Sequence, residues 1–198
     1  DYTIGIVSKK RIDEAVTVVL MNSERYGGTS YLYPPSSGQY GSGWAVSYIP
    51  LCADPEDFTF LVRHEALGHA FAKLADENSS EANGEIPSSL ISDIKAKEKY
   101  GWWSNVDFTS DPSAVKWAPF ISDERYASER VGVYKGGWGY WTGIWTPSWR
   151  SIMKGNSDAF NAPSRQAIWN RVMNLSNGPD WTPSYEAFVE YDSGTTER

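Results

Sequence analysis

Histidine and cysteine are the residues this chain has least of: two histidines, His64 and His69, and one cysteine, Cys52. A single thiol excludes an internal disulfide. With both imidazoles on another segment, Cys52 has no base to activate it and reads as structural. Basic clusters are also missing. Eighteen Lys and Arg stand against 25 Asp and Glu, a formal net of −7, which argues against nucleic acid and against an anionic membrane surface. No apolar run is long enough to span a bilayer. No signal peptide is visible and residue 1 is Asp, which fits a cytosolic or a processed chain. A length of 198 residues predicts one domain, 1–198, able to bury a single core.

Large rings are plentiful, with ten Trp and twelve Tyr. Most are expected to fill the core and a few to line a cleft. Residues 2–8 alternate and are β-rich, as in a strand, and fit a chain that begins partway into a larger parent. Residues 14–22 form a continuous apolar run, which predicts a central strand buried on both faces. A short strand is expected over 29–33 and a Pro/Ser/Gly loop over 34–43. Another strand follows over 44–51. Pro50 places it at a sheet edge or ends it there, and it could border a cleft and pair with an extended peptide.

Asp54-Pro55-Glu56 opens a helix, with Asp as N-cap, Pro at the first helical position and acids in the first turn. That helix is expected to run to about residue 74 or 75 and carries His64, Glu65 and His69. Residues 78–85 read as polar and turn-like. A second helix is expected over 88–99, with Leu90, Ile91 and Ile94 inward. Residues 101–149 show little periodicity, which in a long stretch points to function. A closing helix is predicted over 163–176, with Ile168, Val172 and Leu175 inward. Residues 177–198 read as a loose tail, with one strand over 185–191.

The pairing of both histidines with Glu65 is the strongest chemical signal. Two neutral imidazoles can hold a zinc ion, and a carboxylate beside them can take a proton from water. The usual zinc-protease helix spaces its histidines four apart, whereas His64 and His69 are five apart. On an α-helix that separation leaves the rings about 140° apart. A π-type turn restores them to one side, and Gly68 suits such a distortion. A local π irregularity is therefore predicted across His64–His69. The bland alternative is two unrelated helix histidines.

Catalytic zinc commonly takes three protein ligands and keeps one position open. With no third histidine, a carboxylate or tyrosine must complete the set. Asp76 would lie about 10 Å along an unbroken helix from His69, so it can serve only if the helix ends and the chain folds back. Glu77 is the neighbouring candidate, and a distant glutamate within 81–129 is another. Plain solvation of a helix end also explains the Asp76-Glu77 pair.

The run His-Glu-Ala-Leu-Gly-His-Ala-Phe-Ala-Lys-Leu-Ala-Asp-Glu from residue 64 resembles the active-site helix of the IgA-peptidase family of zinc metallopeptidases, particularly its gut-bacterial members. Ser151-Ile152-Met153, followed by the block from Phe160 to Ile168, looks like that family's later segment, and Ser-Ile-Met is similar to the methionine turn of metzincins. The stretch from Trp102 to Gly143 fits less specifically, and the resemblance spans roughly residues 44–175. It implies an α+β, zincin/metzincin-like fold with a mixed twisted sheet, an active-site helix, a methionine turn and a C-terminal helix. It further implies Zn2+ held by His64, His69 and Asp76, Glu65 as general base, Met153 beneath the metal, and a protein or peptide substrate. Secreted, periplasmic or cell-surface localisation follows from the same likeness.

Three positions depart from the pattern. The five-residue spacing matches the His-Glu-x-x-Gly-His of dipeptidyl peptidase III, whose third ligand is a glutamate further along the chain. Ala72 stands where metzincins carry the glycine that ends the helix. Gly155 stands where some carry a transition-state tyrosine, leaving Tyr126, Tyr134 or Tyr140 for that role. The rival readings are a non-catalytic protein- or glycan-binding domain that retains a zinc helix, and a dipeptidyl peptidase III-like exopeptidase.

Overall fold

In a computed structural model, residues 14–36, 41–155, 159–178 and 180–196 are described. The strand expected over 2–8 lies outside them. The apolar runs near the start of the chain pair through the third of them: Val16–Met21 (β1), Thr29–Tyr33 (β2) and Trp44–Pro50 (β3) form a sheet in the order β1-β3-β2. β1 pairs parallel and β2 antiparallel with β3. The run expected at the centre therefore lies at the edge among the described residues, and of the two places expected from Pro50, a sheet edge or the end of its strand, the structure has the end. β3 is central, with Pro50 as its last residue, while β1 lies at the edge among the described residues and leaves Val16, Val18 and Leu20 exposed. A continuous apolar run resembles a strand buried on both faces. Here the helix that covers the sheet packs chiefly on β3 and β2, so part of β1 stays open.

That helix starts as predicted. The Asp54 side chain accepts from the Glu56 amide at 2.8 Å, Pro55 follows, and an α-helical segment (α1, Pro55–Leu61) runs straight into a π-helix over Val62–Phe71. The expected single wide turn is a ten-residue π-helix. It also stops sooner than expected. Lys73 adopts a left-handed φ of 57°, and the Leu74 amide donates back to the Gly68 carbonyl at 3.0 Å. A left-handed residue after the last turn with a long backward bond is how helices close when glycine supplies the turn. Here Lys73 fills that place, and its carbonyl accepts from the Trp103 amide at 2.8 Å. The Ala72 substitution therefore does not prolong the helix.

A second three-stranded sheet follows, ordered β4-β6-β5, from Ser79–Glu85 (β4), Tyr134–Gly137 (β5) and Gly139–Thr146 (β6). The expected turn at 78–85 is thus mostly a strand. It lies at an edge and is polar and largely exposed, so it lacks the apolar alternation that signals one. The weakly patterned 101–149 region supplies β5 and β6 together with Ala118–Ser122 (α3) and a 3₁₀ segment, Glu124–Glu129. Ser88–Glu98 (α2) buries Ile94 as expected, with Leu90 and Ile91 packed alongside.

Ile152–Gly155 (α4) is a short helical turn, Ala162–Asn177 (α5) the closing helix and Tyr185–Thr196 (α6) a further one. α5 turns inward only part of the face predicted: Ile168 packs against the cluster around Ile152 and Met153. Val172 and Leu175 are exposed, while Ser164, Asn170, Arg171 and Asn174 are buried. α6 replaces the expected strand and loose tail: Phe188 and Val189 enter a core cluster with Trp117, Phe120 and Tyr126. Apolar residues at 185, 188 and 189 suit a helical face as well as a strand, which is why a short run misleads. The chain is therefore a mixed α+β structure with two small mixed sheets. Among the described residues no helix is long and apolar enough to cross a membrane.

Candidate metal centre

The π-helix brings the two imidazoles together. His64 Nε2 and His69 Nε2 lie 3.0 Å apart, with both residues buried. Because the helix ends at Lys73, Asp76 folds back to them, and its Oδ1 lies 3.3 Å from His64 Nε2 and 3.5 Å from His69 Nε2. Among the described residues these three make the one group that could hold a metal ion.

The donor chemistry fits a cation. His64 Nδ1 bonds the Ile152 carbonyl and His69 Nδ1 the Leu74 carbonyl, each at 2.8 Å. A carbonyl only accepts, so each Nδ1 carries the hydrogen and each neutral ring turns a lone pair inward from Nε2. Two such lone pairs and a carboxylate oxygen facing one another call for a positive charge between them. Three atoms about 2.0–2.1 Å from one tetrahedral centre lie about 3.3–3.4 Å apart, close to the separations found. The electrostatics show the same demand for positive charge. Burial pulls the His69 imidazole down, but Asp76, together with Glu65 and the Leu74 carbonyl, more than offsets this and leaves it raised. Burial pushes Asp76 up, and the two imidazoles overcome that and hold it well below the usual carboxylate range.

Glu65, 4 % exposed, lines the same cleft, which has a volume of about 200 Å³. The Ser30 hydroxyl donates to Glu65 Oε2 at 2.7 Å, and Ser30 and Ser47, paired across β2 and β3, both reach the Glu65 carbonyl. Gly28 leaves room for this carboxylate, since a Cβ there would sit 2.7 Å from Glu65 Cγ. On the far side of the π-helix, Met153 is fully buried against Gly68, where any Cβ would strike its sulfur. The glycine before His69 thus makes room for Met153.

Glu77 does not join the three. It is fully buried and turns away to Asn105, Ser151 and Asn161. Burial pushes its carboxyl up, against the pull of those three donors. Nor does a distant acid approach: Glu98 pairs with Lys116, and Glu129 with Arg165. The candidate tyrosines are occupied elsewhere. Tyr126 donates to Asp192, Tyr134 donates to the Arg130 carbonyl, and Tyr140 packs on the Trp102 cluster. None lines the cleft.

Sequence reasoning passed over several residues that shape the site. Trp103 and Trp138 form part of the cleft wall, with ring centroids 4.7 Å apart and nearly perpendicular planes. Both backbones are left-handed, at φ 58° and 52°, a conformation rare for bulky residues and often found at functional sites. Their amides hold the folded-back segment, Trp103 at the Lys73 carbonyl and Trp138 at the Asp76 carbonyl. Asn105 clamps it between them, accepting from the Ala75 amide and donating to the Ala75 carbonyl. Ser30 and Ser47 were available from strand alternation, as polar residues on the face turned toward the helix. The Trp and Asn contacts leave no local pattern.

The family described as IgA Peptidase M64 matches residues 8–125, a stretch that includes both histidines, Glu65 and Asp76. No curated protein matches the chain.

Proposed function

Since the chain belongs to the IgA peptidase M64 family, we propose that it is a zinc metallopeptidase that hydrolyses peptide bonds within protein substrates. His64, His69 and Asp76 are the zinc ligands and Glu65 the general base. The observation that carries this reading is the convergence of two oriented Nε2 atoms and one carboxylate oxygen, with His69 and Asp76 lining one cleft together with a second carboxylate, Glu65. Zinc held there supplies Lewis acidity, making a water more acidic and polarising the scissile carbonyl.

Glu65 takes the proton from the attacking water and returns it to the leaving amine. The Ser30 hydroxyl keeps one carboxylate oxygen directed, and burial of Glu65 keeps bulk water away. Gly28, with Thr29, Ser30 and Leu32 of β2, borders the cleft, and β2, which among the described residues lies at an edge of the first sheet, can pair with an extended peptide. Met153, beneath Gly68, takes the place of a metzincin-like methionine turn, and a zincin-like fold is the architecture this reading implies. The family likeness also supports a secreted, periplasmic or cell-surface site of action.

Metal analysis and a casein or peptide-library digest test the proposal. The expected result is one zinc per chain, internal cuts, and loss of cutting with a chelator. Glu65→Gln should retain zinc and lose about 10²–10⁴-fold in turnover. Dipeptide products alone would establish an exopeptidase. Bound zinc with no cleavage would establish a binding module.

A further inference from the structure

Glu77 is the most deeply buried acid near the site. It has 0 % exposure and, among the described residues, no ion-pair partner within 4.0 Å. Side-chain donors from three separate segments converge on it. Asn105 Nδ2 donates to Oε1 at 2.9 Å, Ser151 Oγ to Oε2 at 2.6 Å, and Asn161 Nδ2 to both oxygens at 3.0 and 3.1 Å. Asn161 also donates to Ser148 Oγ at 2.8 Å. The Glu77 amide donates to the Met153 carbonyl at 2.8 Å. Burying an acid is costly unless donors satisfy it, so the arrangement calls for an explanation.

Its connections supply one. On one side Glu77 directly follows Asp76 and shares Asn105 with Ala75. On the other it binds Ser151 and Met153, which flank Ile152, and the Ile152 carbonyl orients the His64 ring. Asp76 and the His64 acceptor lie on strands of chain some 75 residues apart, and Glu77 is bonded to both.

We propose that Glu77 is a positioning residue that sets metal affinity by fixing Asp76 relative to the 151–153 turn, and so to His64. This rests on the reading of His64, His69 and Asp76 as ligands. It assigns Glu77 no contact with metal or substrate. Residues that orient metal ligands typically change affinity by about 10- to 100-fold when replaced.

The test uses the full chain and zinc alone, with affinity read by competition against a chelator. Glu77→Leu, which fills the volume and removes the acceptors, should weaken zinc about 10- to 100-fold. Glu77→Gln, which keeps the reach and one acceptor, should fall between it and the wild type. Val115→Ala, in the separate cluster around Trp117 and Phe120, supplies a destabilised control that should keep wild-type affinity. Cobalt substituted for zinc gives a second readout: its visible absorption should shift in the Glu77 variants and not in Val115→Ala. If Glu77→Leu does not fold, Glu77→Gln carries the comparison. Unchanged zinc affinity and cobalt spectra in folded Glu77 variants would overturn the positioning role while leaving the ligand set intact. A loss matched by Val115→Ala would reduce it to general stability. A wild-type chain that binds no zinc would overturn the ligand set and this role together.

Discussion

Glu65 and Asp76 face one cleft and are held there by two different kinds of structure. Glu65 sits on a helix over a regular sheet, and two serines from neighbouring strands reach it. Asp76 sits on an extended segment with no regular partner, held by the Trp103 and Trp138 amides, the Asn105 amide group and the Glu77 cluster. A residue on a regular element inherits its position from the hydrogen-bond ladder. One on a free segment must have its position supplied contact by contact. The Asp76 half should therefore be more fragile toward single substitutions.

The largest effect expected is from Asp76→Ala. Zinc retained after dialysis should fall from one per chain to near none, with loss of cleavage, whereas Glu65→Gln keeps its zinc. Equal retention in both variants would abolish the contrast. Next comes Asn105→Ala. It removes three buried hydrogen bonds and should cost about 3–4 kcal/mol in denaturant unfolding.

A pH effect of about 3 kcal/mol belongs to the same half. The buried Lys73 ammonium is lowered to about 7, by burial and by the nearby Arg171, against the pull of Glu14. The unfolded chain keeps that proton up to about pH 10. Between those values the unfolded state binds more protons, so stability rises with pH from 7 towards 10. Lys73→Met should flatten that rise in unfolding measured across the range. Ser30→Ala should do less, because the regular half stays in place: about tenfold in kcat with KM unchanged, the cost of one hydrogen bond to a charged group. Smallest of all, Arg125→Ala breaks an exposed pairing with Asp123 and Glu186 far from the cleft. It should cost no more than about 1 kcal/mol by thermal melting and leave zinc affinity unchanged.

The same division explains what could be read from the sequence. His64, Glu65 and His69 were visible because one helix carries them, and their five-residue spacing pointed to a π-type turn. The N-cap at Asp54 and the start of the closing helix near Pro163 were visible for the same local reasons. Asp76 stayed one of several candidates, because the helix ends through a left-handed Lys73, a residue that rarely takes that place. The strand at 79–85 and the inward polar face of the closing helix were hidden, since pairing partners and buried polar networks lie far off in the chain. Val172 and Leu175 followed the amphipathic rule and broke it. The core beneath that helix is built partly from Asn170, Arg171 and Asn174.

Both imidazoles are oriented by main-chain oxygens, those of Ile152 and Leu74. Every amino acid carries the same oxygen, so no exchange of side chain at 74 or 152 can delete either acceptor. An alanine scan would pass over both positions and report only the packing lost. Replacing the peptide link after Ile152 with an ester, which weakens that carbonyl as an acceptor, would expose the dependence for His64, whereas after Leu74 the same exchange would also remove the Ala75 amide that donates to Asn105. It follows that what limits the sequence at these two buried sites is packing, while the hold on each imidazole needs only that the backbone keep its course.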